Sequence, residues 1–242
     1  MIRGLYSAAS ALQVATEQQE VTAYNLANST MPGYRERGLV FESFDRVLGR
    51  IDTPTGDIVG ARTVQAYNDF RPGSIQETGN PYDLALAETD RFFVLTTPNG
   101  PVYTRNGSFH PDTNGQLVSQ GGYVLQGQDG PITIPRDATN FNIASDGSIT
   151  ANGEPIGQIR VVRFANVSQL TAAGPTLYTA PASAGLQAAP ARILTGRIEG
   201  SNVQPAETMV RMIIGSRYYD AAQRSLRAIA DAIQLDTRPT QG

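Results

Sequence analysis

Residues 91–107, RFFVLTTPNGPVYTRNG, decide the fold class of this chain. An aromatic and β-branched run, 91–97, is followed by Asn99-Gly100 and then by a second short run of the same kind. Asn-Gly is typical of the tight hairpin turn in which both central residues take positive φ. The stretch therefore predicts two antiparallel strands joined by a turn.

Asn-Gly and Asp-Gly pairs occur within this stretch and recur on its C-terminal side. Six such pairs occur: Asn99-Gly100, Asn106-Gly107, Asn114-Gly115, Asp129-Gly130, Asp146-Gly147 and Asn152-Gly153. Strand-like runs lie around them, at 91–97, 101–104, 117–118, 123–126, 132–134 and 158–164. Short runs with regular turn signals predict a β domain of sandwich or barrel type. Residues 170–195 show little periodicity and are interpreted as loop or edge strand.

Outward from the β region, the N-terminal residues carry a helical pattern. Apolar and small residues follow alternating steps of three and four, the spacing of a coiled-coil seam. The seam comprises Ile2, Leu5, Ala9, Leu12, Thr16, Gln19, Ala23 and Leu26. Met31-Pro32-Gly33 ends the pattern, because proline disfavours helix at the residue before it. A seam this narrow fits a partner helix better than a broad core face.

The C-terminal residues mirror this pattern. Ser201-Asn202 can cap a helix, Pro205 suits its first turn, and Glu207 favours its N-terminal end. The seam that follows comprises Met212, Gly215, Tyr219, Ala222, Leu226, Ile229 and Ile233. We predict a mainly β protein with an irregular β domain, whose terminal helices pair as an antiparallel coiled coil. The predicted domains are 1–37 with 199–242 (helical), 38–70 (linker or β-hairpin) and 71–198 (the β-rich outer domain).

The composition excludes several function classes. The 242 residues have a formal charge of −3, with 19 cations that are all arginine, no cysteine and one histidine. Such a chain lacks the basic patch of a nucleic-acid or membrane-surface binder. It also lacks thiolates for disulfides or metal sites. No apolar run is long enough for a membrane span, and the N-terminal residues lack the apolar core of a cleaved signal peptide.

Candidate catalytic groups are few. Asp83, Glu88 and Asp90 could form a carboxylate pair for glycoside hydrolysis, but surface carboxylates at the start of a strand are far more common. His110 has no second histidine or cysteine with which to bind a metal. We therefore predict no enzyme, cofactor, metal or small-molecule ligand.

Three blocks of the sequence resemble flagellar basal-body rod and hook proteins. The N-terminal block has Leu5-Tyr6-Ser7-Ala8-Ala9, Asn25-Leu26-Ala27-Asn28 and Pro32-Gly33-Tyr34-Arg35. The C-terminal block has Gly196 to Val203, including Asn202, and then Arg217-Tyr218-Tyr219. Between them, 78–86, 103–109 and 115–118 are similar to the β domain of rod subunits. The resemblance covers nearly the whole chain, in the right order.

The resemblance implies a structural rod subunit that self-assembles through its terminal helices and transmits torque. Its partners would be copies of itself, other rod proteins and the flagellar type III export apparatus. Its location would be the basal body, in the rod that crosses the periplasm, reached without a cleaved signal. The short segment 44–69 favours the FlgF type over the FlgG type. Two alternatives remain from the residues alone: a secreted β-domain adhesin with a coiled-coil stalk and, after it, a glycan hydrolase.

Overall fold

The computed structural model describes residues 2–43, 61–136, 138 and 140–236. Two long helices occur in it, α1 (Ile2–Ala27) and α2 (Pro205–Asp236). The remaining regular structure is almost entirely short β-strands, which confirms a mainly β protein with a helix near each end. No helix among these residues is long and apolar enough to cross a bilayer.

The strands are numbered in chain order. The first nine are β1 (Arg37–Ser43), β2 (Ala61–Asn68), β3 (Ile75–Glu77), β4 (Leu84–Leu86), β5 (Arg91–Thr97), β6 (Gly100–Thr104), β7 (Phe109–Pro111), β8 (Leu117–Ser119) and β9 (Val124–Leu125). The others are β10 (Phe141–Ile143), β11 (Ser148–Ala151), β12 (Glu154–Gln158), β13 (Val161–Phe164), β14 (Thr171–Ala172), β15 (Leu177–Thr179), β16 (Leu186–Ala188), β17 (Ile193–Thr195) and β18 (Arg197–Glu199). Two 3₁₀ turns occupy Val167–Gln169 and Ala182–Ala184.

The chain divides into two compact units. Unit 1 contains residues 1–27, 37–69 and 204–242, and unit 2 contains residues 28–36 and 70–203. In unit 1, α1 and α2 contact each other, and β1 pairs antiparallel with β2 with an irregularity at Val40/Phe41. Both of these strands also contact α1.

Strand β5 is the centre of unit 2. It pairs antiparallel with β6 along one edge and with β13 and β9 along the other, within a nine-stranded sheet. Because side chains alternate across a strand, its two faces supply two different cores. Phe93 and Leu95 pack in the larger cluster with Leu125 and Ile159. Phe92 and Val94 pack in the smaller, more aromatic cluster.

The turn predictions were only partly right. Four of the Asn-Gly or Asp-Gly pairs connect adjacent antiparallel strands, at 99–100, 114–115, 146–147 and 152–153. Only at Asn152-Gly153 do both residues have positive φ (53° and 86°), because Asn152 is the one non-glycine with positive φ in the described part of the chain. Gly107 instead lies against the carbonyl of Leu84, at a spacing that no side chain could enter.

Two strand predictions were also wrong in detail. Residues 132–134 form no strand and make only a single bridge, between Thr133 and Gln116. Residues 158–164 are not continuous, since β12 ends at Gln158 and β13 begins at Val161. Ile132 and Ile134 are nevertheless buried, so hydrophobic burial, and not sheet pairing, explains this apolar run.

Candidate assembly surfaces

Helix α2 has one half-buried stripe along its length. Six residues of the predicted seam are half-buried: Met212, Gly215, Tyr219, Ala222, Leu226 and Ile229. Most positions between them are exposed. This stripe follows the alternation of three and four along a helix that contacts α1. The side chain of Ile233 lies outside the described part.

The corresponding stripe of α1 is less regular. Leu12, Gln19, Ala23 and Leu26 are half-buried, whereas Ala9 and Thr16 are exposed. The side chains of Ile2 and Leu5 lie outside the described part. Thr16 donates its hydroxyl hydrogen to the carbonyl of Leu12, which satisfies the group locally on the exposed face.

The two helices approach closely where α2 has no side chain. A Cβ atom at Gly215 would lie 2.5 Å from Oε1 of Gln19. That oxygen is buried and has no hydrogen-bond partner among the described residues. A buried acceptor without a partner costs free energy, so the helix pair is not optimally packed at this level.

A groove opens beside this contact, within unit 1. Its volume is about 460 Å³, and small side chains form most of its wall: Ala11 and Ala15 of α1, and Gly215, Ala221 and Ala222 of α2. Tyr218 and Phe41 are the large side chains at its lining. We call this cavity the helix groove.

The first turns of α2 expose large apolar side chains. Met209, Val210, Ile213 and Ile214 are each about half exposed, from 46% to 56% of the residue's maximum accessible surface. Scattered exposed hydrophobic residues are ordinary, but four within six residues of one helix form a continuous patch. We call these four residues the α2 ridge. Contiguous exposed apolar patches are typical of interaction sites.

Asn25 fixes the return of the chain after α1. Its side-chain amide donates to the carbonyl of Arg37 (2.8 Å), and its Oδ1 accepts from the Arg37 amide (2.9 Å). The Arg37 guanidinium lies 4.3 Å from the ring centre of Tyr24. These contacts connect the last turns of α1 to the first residue of β1.

Unit 2 contains a buried ionic cluster. Glu199 Oε1 accepts from Nη2 of Arg35 (2.6 Å), and Oε2 accepts from Nε of Arg105 (2.8 Å). All three residues are at most 2% exposed. Nη1 of Arg105 also donates to the carbonyls of Glu88 and Arg91, both at 2.6 Å. Burial lowers the pKa of the Arg105 guanidinium, and Glu199 opposes this shift.

The remaining residues of the resemblance lie around this cluster. Gly33, with φ of 69°, donates its amide to the carbonyl of Glu199. Asn202 accepts from the Glu36 amide and donates to the carbonyl of Arg71, while Tyr34 and Val203 are buried. The Asn28 carbonyl accepts from the Met31 amide in the turn after α1.

Sequence reasoning missed the ionic cluster. Arg35, Arg105 and Glu199 stand in three separate blocks of the resemblance, and nothing in their spacing indicates that they meet. Arg35 and Arg105 are the single charges of 32–35 and 103–109, but Glu199 shares its block with Arg197, so no charge pattern in the sequence singles out the three residues.

The candidate catalytic carboxylates have separate structural surroundings. Asp83 is buried with its backbone bridged to Ser108, Glu88 lies 3.8 Å from Arg192, and Asp90 accepts from Arg91 at 3.2 Å. No hydrogen bond joins these three carboxylates in the described residues. His110 is exposed on β7, paired with Val118. Over the same residues, no group of three His, Asp or Glu side chains could hold a metal.

Comparison with known proteins distinguishes between the rod subunit, the adhesin and the glycan hydrolase. Residues 88–151 match the flagellar hook protein FlgE/F/G D1 domain, and residues 194–234 match the flagellar basal body rod FlgEFG protein C-terminal family. The chain is 33% identical to the flagellar basal-body rod protein FlgF of Salmonella typhimurium strain LT2, over 95% of this chain and 94% of that protein. The chain belongs to the flagellar basal-body rod protein family. Flagellar basal-body rod proteins of both types resemble it: FlgF of Escherichia coli K12 is 32% identical (96% and 95% covered) and FlgG of Bacillus subtilis 168 is 29% identical (97% of each).

Membership of the rod family settles the broad function. The chain is a structural subunit of the basal-body rod and not an enzyme, and it assembles with other rod proteins. The adhesin and glycan-hydrolase alternatives find no support in these relatives.

Proposed function

We propose that this chain is a FlgF-type rod subunit that assembles through its paired terminal helices and transmits torque along the rod. The exposed α2 ridge carries this proposal. Four large apolar side chains left half exposed on one helix gain from burial against a neighbour, at about 25 cal/mol per Å² of apolar surface. The subunit reaches the rod, which crosses the periplasm, through the flagellar export apparatus without a cleaved signal.

The arrangement of groove residues supports an antiparallel pair. Gln19 lies next to Gly215, and Ala11 lines the same groove as Ser225. Along the groove, the residue numbers of α1 therefore decrease in the direction in which those of α2 increase, as they do in an antiparallel pair. The half-buried stripe of α2 has the alternating steps of a coiled-coil seam.

Alignment length supports the FlgF type. The alignment with FlgF of Salmonella runs over 243 residues and that with FlgG of Bacillus over 258, against 242 residues in this chain. Fewer insertions therefore separate this chain from the FlgF relative.

Basal bodies test the assembly proposal. A strain lacking the gene should be non-motile, and restoring the chain should return both motility and the subunit in purified basal bodies. A chain that restores neither would contradict the rod function. A rod that needs this chain at the FlgG position instead would contradict only the choice of type.

Engineered cysteines test the helix pairing, because the chain has none of its own. Ala11→Cys with Ser225→Cys in one chain should form an intrachain disulfide. Ala11→Cys with Met209→Cys should not, since sixteen residues of helix separate Met209 from Ser225 by about 24 Å. A disulfide in the second variant and none in the first would show that the helices are not antiparallel.

A further inference from the structure

We propose that Glu199 and Asn202 form a clasp that fastens together the chain stretches by which unit 2 connects to unit 1, so that these stretches are released together or not at all. This inference goes beyond the proposed function, because it concerns how unit 2 is closed, and its tests use the purified full chain.

The chain passes between the two units four times, after residues 27, 36, 69 and 203. In unit 2, these passages belong to three stretches. The first, 28–36, has a passage at each end, the second, 70–74, follows the third passage, and the third, 199–203, precedes the fourth. We call these the connecting stretches. The third contains Glu199 and Asn202, which bond both of the others.

Glu199 bonds the first two stretches through its side chain and its backbone. Its Oε1 accepts from Nη2 of Arg35 (2.6 Å) and from the Gly73 amide (3.2 Å). Its carbonyl oxygen accepts from the Gly33 amide (2.7 Å). One residue of the third stretch therefore bonds the first stretch twice and the second once.

Asn202 repeats this pattern three residues further along the chain. Its Oδ1 accepts from the Glu36 amide (2.7 Å), and its side-chain amide donates to the carbonyl of Arg71 (3.1 Å). Its backbone amide donates to the carbonyl of Tyr34 (3.4 Å). Asn202 thus connects the same three stretches a second time, independently of the Glu199 carboxylate.

The second and third stretches are also in direct backbone contact. The Gly200 amide donates to the carbonyl of Ser74 (2.8 Å). A Cβ atom at Gly73 would overlap the carbonyl oxygen of Gly200, so the two backbones approach at a distance that only glycine permits.

Arg105 connects the clasp to the sheets and couples release of the stretches. It directly follows β6, and its Nε donates to Oε2 of Glu199 (2.8 Å). Withdrawal of Glu199 leaves the buried guanidinium groups of Arg35 and Arg105 without their shared counter-charge, which is costly. The Gly73 amide loses its acceptor in the same movement. Release of the third stretch is therefore coupled to release of the other two.

The clasp also gives unit 2 a short path for force. Helix α1 ends directly before residue 28 and α2 begins two residues after residue 203, so tension on the helices enters unit 2 at these two points. The bonds of the first stretch to Glu199 and Asn202 connect the two points directly. Tension therefore acts on the clasp before it acts on the strands that lie between these stretches in the chain.

Amide hydrogen exchange of the full chain, followed by NMR, tests joint release. The reporters are the amides of Gly33, Gly73 and Gly200, one in each connecting stretch, and the Gln126 amide, bonded to β5, reports the core. Asn202→Ala should accelerate exchange of the three glycine amides by the same factor, at least tenfold, because two side-chain hydrogen bonds are lost. The rate at Gln126 should stay unchanged.

Two further variants complete the exchange experiment. Asn166→Ala is the matched control, since exposed Asn166 bonds only the nearby Ser168 amide, and the three glycine rates should change less than twofold. Asn202→Asp keeps the acceptor for Glu36 and loses only the donor to Arg71, so it should fold and accelerate the same three amides at least threefold. Faster exchange at only one or two glycines, an equal increase at Gln126, or no increase in the aspartate variant would overturn joint release.

Single-molecule pulling on the two ends of the chain tests the path of force. At a fixed force, Asn202→Ala should shorten the lifetime of folded unit 2 at least tenfold, because the clasp carries the tension. Leu125→Ala removes a fully buried side chain from the larger hydrophobic cluster and should shorten this lifetime less than threefold. An effect of Leu125→Ala as large as that of Asn202→Ala, or an unchanged lifetime in Asn202→Ala, would show that the tension passes through the sheets and not through the clasp.

Discussion

Glu199 is a carboxylate that two buried guanidinium groups share, from Arg35 in the turn after α1 and from Arg105 after β6. Removing one partner of a buried ion pair leaves charge uncompensated in a medium that solvates it poorly. Such changes usually cost about 3–5 kcal/mol. The cluster therefore makes residues 28–36 part of the β unit, although α1 precedes them directly in the chain.

We expect Glu199→Gln to lower the free energy of unfolding of unit 2 by about 3–5 kcal/mol. The amide keeps the shape of the side chain but leaves two buried cations without a counter-charge. Urea unfolding followed by tyrosine fluorescence measures the change. Glu154→Gln is the control, because Glu154 is exposed on β12 and its loss should change stability by less than about 0.5 kcal/mol. Equal effects of the two substitutions would mean that the cluster contributes no stability.

Gly33 is required for two separate reasons. Its φ of 69° disfavours any side chain, and a Cβ there would lie 2.5 Å from the carbonyl carbon of Arg105 and closer still to the amide nitrogen of Asn106. Gly79 has nearly the same φ, 71°, but nothing within 4 Å of its Cβ position. A substitution at Gly79 therefore tests backbone strain alone, whereas one at Gly33 tests strain together with a steric clash.

We expect Gly79→Ala to cost about 1 kcal/mol, from strain in the left-handed region alone. Gly33→Ala should cost about 1–3 kcal/mol more, because the backbone around Asn106 must also move. Thermal unfolding of the two variants, compared at one temperature, gives the difference. Equal losses would show that the backbone at Asn106 yields without cost.

At the scale of elements, the sequence predicts the helices better than the sheets. Helix α2 begins at Pro205, where the capping signals place it, since these signals are local. Strand β5 also matches its predicted bounds, 91–97. Ile132 and Ile134 do not form a strand, because their burial satisfies the same apolar pattern that a strand would. Periodicity cannot distinguish these two causes of a short apolar run.

The surfaces are less predictable than the elements. A three-four stripe indicates which residues face a partner, but the same spacing suits a partner within the chain or outside it. The half-buried stripe of α2 was visible in the sequence, whereas the ridge at Met209–Ile214 was not. The groove could not be predicted, because it depends on how closely α1, α2 and Phe41 approach one another.

Ile229 tests the stripe of α2 as an element of assembly. We expect Ile229→Asp to abolish incorporation into the rod while unit 2 stays folded. The side chain is half-buried, so its loss removes about 1 kcal/mol of apolar burial, half the value for full burial, and the new carboxylate adds a desolvation cost. In a polymer this loss recurs in every subunit.

The control for Ile229→Asp is Arg224→Gln, at an exposed position about 140° around the same helix. Recovery of each variant in basal bodies measures assembly, and thermal unfolding measures the β unit. Normal incorporation of the aspartate variant would show that this stripe takes no part in assembly. Unfolding of unit 2 would show that the helix stabilises the β unit instead.

At the scale of the whole molecule, the two units differ in how their residues are buried. Unit 2 contains both hydrophobic clusters and the ionic cluster. Most of α2 is exposed, and its stripe is only half-buried. Isolated helices are marginal in water unless an apolar face is well packed. We therefore expect both helices to be the least stable part of the free subunit and to become stable on assembly.

Limited proteolysis of dilute monomer should remove α1 and α2 and leave a resistant core. The ionic cluster sets its ends: Arg35 is fully buried against Glu199, and Tyr34 and Val203 are buried in the same unit. The N-terminal cut should therefore fall near residue 28, and the C-terminal cut near residue 203. Mass spectrometry of the core gives both ends. Protection of either helix in a proven monomer would contradict the expectation.

The sharper form of this test compares two fragments, 28–203 and 38–198. The shorter one, bounded by the domain limits that the sequence alone suggests, lacks Tyr34, Arg35, Glu199 and Val203. Burial of Tyr34 and Val203 contributes about 1.5–3 kcal/mol each, and removal of Glu199 leaves Arg105 buried without its carboxylate. Because whole domains are stable by only about 5–15 kcal/mol, these losses together approach the full stability of the fragment.

Fragment 28–203 should therefore melt cooperatively and have a β-type circular dichroism spectrum. Fragment 38–198 should melt at least 15 °C lower or not fold, because each kcal/mol lost lowers the melting temperature of a domain of this size by several degrees. Equal melting temperatures would show that the β unit folds without residues 28–37 and 199–203, and that the ionic cluster is a consequence of its fold and not a condition for it.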